Sequence, residues 1–132
     1  DYEYVVVDGA PRLSDITKEA VRVADLVLIP VHPSAADIWS SETVVELCER
    51  RDTKAVMCLS RTIVGTTLTD SAREALESFG LPVLEGTAQR VAYVRSFNAG
   101  QSVLESGDQK AVEEVRRLKT QTLAHLENKI DR

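Results

Sequence analysis

Four short apolar runs divide the chain, and each is bounded by glycine, proline or polar residues. They occupy residues 4–7, 25–31, 54–60 and 81–84. Such runs between turn signals are typical of strands buried in a parallel sheet. The longer segments between them carry apolar residues at helical spacing. The alternation predicts an α/β fold, with a parallel sheet covered by helices on both faces.

Helices are predicted over residues 15–23, 36–50, 68–79, 89–98 and 110–128. Ser14 is placed to cap the first helix, and Gly80 stands where a left-handed residue commonly ends the third. Trp39 is expected to be a buried aromatic near a helix start. The apolar residues expected to face the core are Ile16, Ala20, Val23, Ala24, Ile38, Val44, Val45, Leu47, Val112, Val115, Leu118, Leu123 and Leu126.

Composition changes this picture little. The chain has 132 residues, 43% of them hydrophobic, and a net charge of -5, which fits one domain without a global basic surface for nucleic acid. No apolar run approaches the roughly 20 residues of a membrane span, and no secretory signal is present.

Cys48 and Cys58 lack metal-type or redox spacing, which favours reduced thiols in a cytoplasmic protein. Because Asp1 stands where Met would, we expect a chain that begins mid-protein or was processed.

Asp8 directly follows the first apolar run and precedes Gly9, Ala10 and Pro11. Ligands of open α/β sheets bind beyond the carboxyl ends of the strands, where this carboxylate would lie. An aspartate there can help to hold Mg²⁺ on a nucleotide, as in the Walker B arrangement. A turn or helix-capping aspartate is an equal alternative from this stretch alone.

Taken in order, four stretches resemble the ParA/MinD group of deviant-Walker P-loop ATPases, and look closest to plasmid-partition proteins of the ParF type. They lie at residues 5–10, 24–37, 59–61 and 89–105. The resemblance implies Mg²⁺-dependent ATP hydrolysis in plasmid or chromosome segregation. It also implies a cytoplasmic, nucleoid-associated protein. The implied partners are a second copy in a dimer or polymer, a centromere-binding partition protein and non-specific DNA, but no membrane.

The resemblance also assigns site residues. Asp8 matches the catalytic-site aspartate that holds Mg²⁺ through water, and Gly9, Ala10 and Pro11 match the switch segment that senses the γ-phosphate. The loops that would border the adenine are matched by Ser60 and Arg61, and by Thr87, Ala88 and Gln89. Ser60 stands where many relatives have asparagine, and a hydroxyl makes fewer hydrogen bonds than an amide.

DNA contacts are a further expectation. Arg61, Arg90 and Arg95 would form a local basic patch that binds phosphate, as basic residues do in the carboxyl-terminal half of such relatives. The alternative is solvated surface charge or helix pairing, which the net charge of -5 favours for any one of them.

One element of the family pattern is absent. The chain contains no G-x-x-x-x-G-K-[ST] loop to cradle phosphates. We therefore expect residues 1–132 to be the C-terminal portion of a single ParA-type ATPase domain, without the strand that carries this loop. Alternatives are a non-catalytic interaction module and, less favoured, a MinD-like membrane-cycling ATPase, which would need an amphipathic C-terminal helix.

Overall fold

The computed structural model of the protein describes residues 1–9 and 13–127. Three parallel strands form one sheet in this described part: β1 spans Val27–Val31, β2 spans Ala55–Leu59 and β3 spans Val83–Leu84. They lie in the order β1-β2-β3, with Val27 opposite Ala55 and Met57 opposite Val83. The three apolar runs in the body of the chain are therefore strands, as predicted.

Five α-helices connect or follow these strands in the described residues. Their bounds are α1 Asp15–Val23, α2 Ala35–Arg50, α3 Leu68–Glu77, α4 Val91–Asn98 and α5 Gln109–Glu127, with a 3₁₀ helix at Val103–Glu105. The side chain of Ser14 accepts a hydrogen bond from the backbone N–H of Thr17, which confirms the predicted cap of α1. Gly80 has φ 83 just beyond α3, which is the left-handed conformation expected there.

Helices cover both faces of the sheet, which confirms the predicted architecture. Residues of α1, α2 and α3 form one core cluster with alternate residues of β1 and β2: Val21, Ile29, Val31, Ile38, Val45, Leu47, Cys48, Ala55, Met57, Leu59, Ala72 and Leu76. On the other face, Val56, Cys58 and Leu84 contact the half-buried Leu26, Leu28 and Leu118, the last of which belongs to α5. Every residue of β2 is buried.

Proline fits β1 because of the strand's place in the sheet. Val27 donates its N–H to Lys54, and Val31 accepts from Ser60, so every second residue of β1 turns its backbone toward β2. Pro30 falls between these positions, so its missing N–H belongs to the opposite edge. No described residue forms a strand on that edge.

The prediction of a buried strand at residues 4–7 is wrong. The segment is irregular, and Val6 is 92% exposed. A strand needs a neighbour that accepts and donates its backbone hydrogen bonds, and no described strand lies beside this run. The Tyr4 hydroxyl of this segment donates a hydrogen bond to the Glu127 carboxylate on α5 at 2.9 Å.

Two expectations about helix faces are also wrong. Trp39 is 71% exposed, because α2 buries Ile38, Ser41, Val45 and Cys48, a stripe at helical spacing that Trp39 flanks. On α1, Ile16 and Val23 are exposed and Val21 is the buried residue. Val21 packs into the core beside the sheet, and the side of α1 that carries Ile16 and Val23 faces solvent.

None of the described helices combines the length and apolar character that crossing a membrane requires. The membrane-cycling alternative depends on the C-terminal residues, and 128–132 lie outside the described residues.

Cys48 and Cys58 are both free and buried. Burial of the Cys58 thiol raises its pKa from the ordinary 9.0 to about 11. The neutral thiol thus favours the folded state below pH 9, and this contribution is lost as the pH rises through about 11.

We expect the free energy of unfolding to fall between pH 9 and pH 11, and to fall less in Cys58→Ala, which has no thiol to ionise. By pH 11 the wild type should have lost about 2 kcal/mol more unfolding free energy than Cys58→Ala. Urea unfolding at a series of pH values measures it. Identical alkaline slopes in the two proteins would show that the thiol ionises as easily in the fold as outside it.

Candidate functional site

The loops that follow β2 and β3 are joined by backbone hydrogen bonds. Thr87 donates its N–H to Leu59 at 3.0 Å, Thr62 donates to Thr87 at 3.2 Å, and Gln89 donates to Thr62 at 2.9 Å. Thr62 and Ala88 form an isolated parallel bridge. The two segments predicted to border a nucleotide base therefore lie side by side at the carboxyl edge of the sheet.

Ser60 and Arg61 make the turn out of β2. Ser60 is half-buried, and its N–H donates to Val31, which extends the pairing with β1. Arg61 is exposed and has φ 58, a left-handed conformation that is uncommon for a residue with a side chain. Such conformations persist where surrounding contacts fix the backbone, and they concentrate at functional sites.

Gly86 brings the loop after β3 against the end of β2. A Cβ atom at this position would lie 1.6 Å from the carbonyl oxygen of Leu59. Only a residue without a side chain permits this approach, and the approach aligns Thr87 with Leu59.

The carboxylate of Glu114 on α5 fixes the next part of the loop. It accepts hydrogen bonds from the backbone N–H of Ala88 at 3.0 Å and from Nε of Arg90 at 2.9 Å, with Nη2 of Arg90 at 3.4 Å. The Tyr93 hydroxyl donates to the same carboxylate at 3.0 Å. Burial and then this hydrogen bond raise the pKa of Tyr93 well above its usual range, so the phenol stays protonated and donates.

Two further residues of α5 hold the start of the loop. Arg117 forms an ion pair with Glu85 at 2.8 Å, and Oε1 of Gln121 accepts from the backbone N–H of Glu85 at 3.0 Å. Together with Glu114 they form a row on one face of α5, because they lie three and four residues apart. Sequence reasoning weighed Arg117 only as a basic surface residue and missed the row, although the spacing of the three polar residues was a usable signal.

The arginines predicted to form a DNA-binding patch differ in their surroundings. Arg90 is paired with Glu114, so its charge is compensated within the fold. Arg61 and Arg95 are exposed and have no ion pair with a described residue. The helix that follows the loop begins at Val91 rather than at the predicted Gln89, because Gln89 and Arg90 are held in extended conformation.

Asp8 and Gly9 are exposed in the irregular N-terminal segment, and no hydrogen bond or ion pair links Asp8 to the loops among the described residues. Ala10 and Pro11 lie outside the described residues. The described residues contain no group of three or more His, Cys, Asp or Glu side chains that could hold a metal ion. Mg²⁺ on a nucleotide would take most of its ligands from phosphate and water.

A cleft of about 430 Å³ adjoins the same loop on the side of α3 and α5. Its lining includes Arg73, Glu85, Gly86 and Arg117, with the hydroxyl residues Thr62 and Thr69. Arg73 also donates to the carbonyl of Val83 at 3.4 Å, on the edge of β3 that faces away from β2. The Arg117–Glu85 ion pair therefore lies along the lining of this cleft.

Two known proteins resemble the chain. It is 34% identical over 114 residues to maintenance of carboxysome distribution protein A of Halothiobacillus neapolitanus, covering 81% of this chain and 53% of that protein. The MinD cell division protein of Aquifex aeolicus superposes with a TM-score of 0.67 at 19% identity, over 82% of this chain and 49% of that one. No protein-family model matches. The chain spans about half the length of both relatives, and the superposition shows a shared fold.

The close approach of Gly86 to Leu59 gives a direct test of the loop geometry. We expect Gly86→Ala to lower the free energy of unfolding by about 2 kcal/mol or more, because the methyl group must displace backbone rather than a flexible side chain. Gly107→Ala is the matched control, since a Cβ there meets nothing within 4 Å. Chemical denaturation measures both. Equal stability of the two variants would mean that the loop does not close on β2.

Proposed function

We propose that this chain, whose fold is that of the ParA/MinD ATPases, forms the carboxyl-terminal half of an ATPase that uses Mg²⁺ and ATP to position a large cellular cargo. The observation that carries the proposal is the Thr62–Ala88 bridge. It joins the two loops that the resemblance assigns to the nucleotide base, at the edge where α/β proteins bind ligands. The identity to the carboxysome distribution protein supports the same group.

In this proposal the described loops form the base side of the nucleotide site. Ser60 and Arg61 border one side of the base, and Thr87, Ala88 and Gln89 border the other. The phosphates and Mg²⁺ would be held by a glycine- and lysine-rich loop on a strand outside residues 1–132, supplied upstream on the same polypeptide or by another chain. That strand would lie against the free edge of β1, and residues 4–7 would pair on its far side.

Asp8 would then end a paired strand and hold Mg²⁺ through water, while Gly9, Ala10 and Pro11 would couple the γ-phosphate to the dimer or polymer. Small residues suit a segment that must move and let backbone approach phosphate. The exposed run at residues 4–7 is consistent with this arrangement, because it is apolar on both sides and lacks a neighbour in the described chain.

The cargo we propose is a plasmid or chromosome, moved by a ParF-type cycle with a second copy, a centromere-binding protein and non-specific DNA on the nucleoid. Arg61 and Arg95 are the exposed candidates for phosphate contacts. The name of the 34% identical relative favours a second candidate, the distribution of a carboxysome-like body. The two candidates share the ATPase and differ in the adaptor that links it to cargo.

A non-catalytic interaction module is the alternative from another class. In that case the loops around Thr87 would retain the fold's geometry without a nucleotide.

The first experiment is the intact mass of the native protein, followed by ATP binding with Mg²⁺ on the same sample. We expect a mass well above 14.5 kDa together with Mg²⁺-dependent binding. Asp8→Asn should then lower Mg²⁺ affinity and hydrolysis by about 10- to 100-fold, as loss of a water-mediated metal contact does. Glu3→Gln, in the same segment, is the control and should have no effect.

A mass near 14.5 kDa with no ATP binding would refute the ATPase and leave the interaction module. ATP binding with hydrolysis that Asp8→Asn leaves unchanged would refute the role of Asp8 alone.

A further inference from the structure

One side chain on α5 reaches the backbone of the loop after β3. Oε2 of Glu114 accepts a hydrogen bond from the backbone N–H of Ala88 at 3.0 Å. Through this bond a side chain of α5 holds the backbone of the loop at residues 87–89. Ala88 is buried, and the Glu114 side chain is only 14% exposed. The bond is therefore shielded from water, where a hydrogen bond to a charged group is strongest.

We propose that Glu114 is a positioning residue that sets the base selectivity of the nucleotide site, by fixing the backbone of residues 87–89. The inference rests on the proposed function. It assigns a role to a residue that touches neither base nor phosphate.

The carboxylate makes the loop and two helices move as one unit. Oε1 accepts from Arg90 and Tyr93, and Oε2 accepts from Ala88 and, at 3.4 Å, from Arg90. Arg90 precedes α4 and Tyr93 lies in its first turn. A shift of α5 along this contact thus displaces the loop and the start of α4 together.

Selectivity follows from the chemistry of the base edges. Adenine presents a donor at its amino group beside an acceptor nitrogen, and guanine presents the reverse pattern. The N–H groups of residues 87–89 are already paired within the fold, so this discrimination falls to backbone C=O groups, which accept from the amino group of adenine and repel the carbonyl oxygen of guanine. They distinguish the two bases only when held within hydrogen-bond tolerance, a few tenths of an ångström. Ser60 offers a single hydroxyl on the facing loop, so more of the discrimination falls on the backbone that Glu114 holds.

Substitutions of Glu114 separate the effect of the length of its side chain from the effect of its negative charge. Glu114→Ala removes every contact. Glu114→Asp keeps the charge for Arg90 but draws the oxygens back by about one methylene, too far to bond Ala88. Glu114→Gln keeps the length of the side chain, since its amide oxygen can still accept from Ala88 while its NH₂ group donates to the Tyr93 oxygen, but it loses the acceptor of the Arg90 Nε–H.

The test measures dissociation constants for ATP and GTP on the native protein and its variants. We expect wild type to prefer ATP, and Glu114→Ala to reduce that preference by about 10-fold, as loss of one charge-assisted hydrogen bond would. Glu114→Gln should restore most of it. Glu113→Ala, an exposed neighbour, is the matched control and should leave it unchanged. Amide exchange of Ala88 should accelerate by about 10-fold in Glu114→Ala.

A purely structural role would lower stability while leaving the ATP-to-GTP ratio intact, and that result overturns the inference. Equal affinity of wild type for both nucleotides also overturns it. If wild type binds neither nucleotide, the proposed function itself is refuted, together with this inference. If Glu114→Ala does not fold, Glu114→Asp decides, because it retains the ion pair with Arg90 and should still lose selectivity.

Discussion

The structure depends on the complete burial of β2. Its five residues are all buried, with helices on both faces, β1 along the whole of one edge and β3 beside Met57 and Cys58 on the other. The loops of the candidate site continue from this strand and its neighbour, and their first hydrogen bonds are further steps of the same ladder. The site is rigid at its base because it extends the best-buried element of the fold.

Beyond the backbone hydrogen bonds that continue the sheet, polar side chains of α5 hold the loop after β3. Glu114, Arg117 and Gln121 hold successive points of the loop after β3, while Leu118 of the same helix contacts the sheet. One face of α5 thus packs an apolar side chain on the sheet, and the adjacent face binds the loop after β3 through polar side chains. This division explains why a charged helix face, which would ordinarily be solvated, contains a carboxylate that is largely buried.

The sequence predicted most of the architecture, because the strands at 25–31, 54–60 and 81–84 are apolar on both sides and bounded by clear turn signals. It gave the wrong outcome at residues 4–7, where the local pattern is equally strong. A segment with high strand propensity forms a strand only when a neighbouring strand pairs with it, and the local sequence does not show whether such a neighbour is present. Trp39 and Val23 were misplaced for a similar reason, since periodicity identifies an apolar stripe but not which side of it meets another element. Ser60, Arg61 and residues 87–89 were assigned to a site through the resemblance, and the structure brings their two loops together. Glu114 was not, because its partner is a backbone N–H that a sequence does not display.

Pro30 has a consequence for how the sheet can grow. At the free edge of β1, alternate residues present their backbone outward, and the proline offers a carbonyl there but no donor. An added strand that places a carbonyl opposite Pro30 leaves that oxygen unsatisfied, at a cost of about 1–3 kcal/mol where water is excluded. Registers that place the end of the incoming strand at this point avoid the cost. One imino acid therefore restricts both the alignment and the length of any strand that completes the sheet.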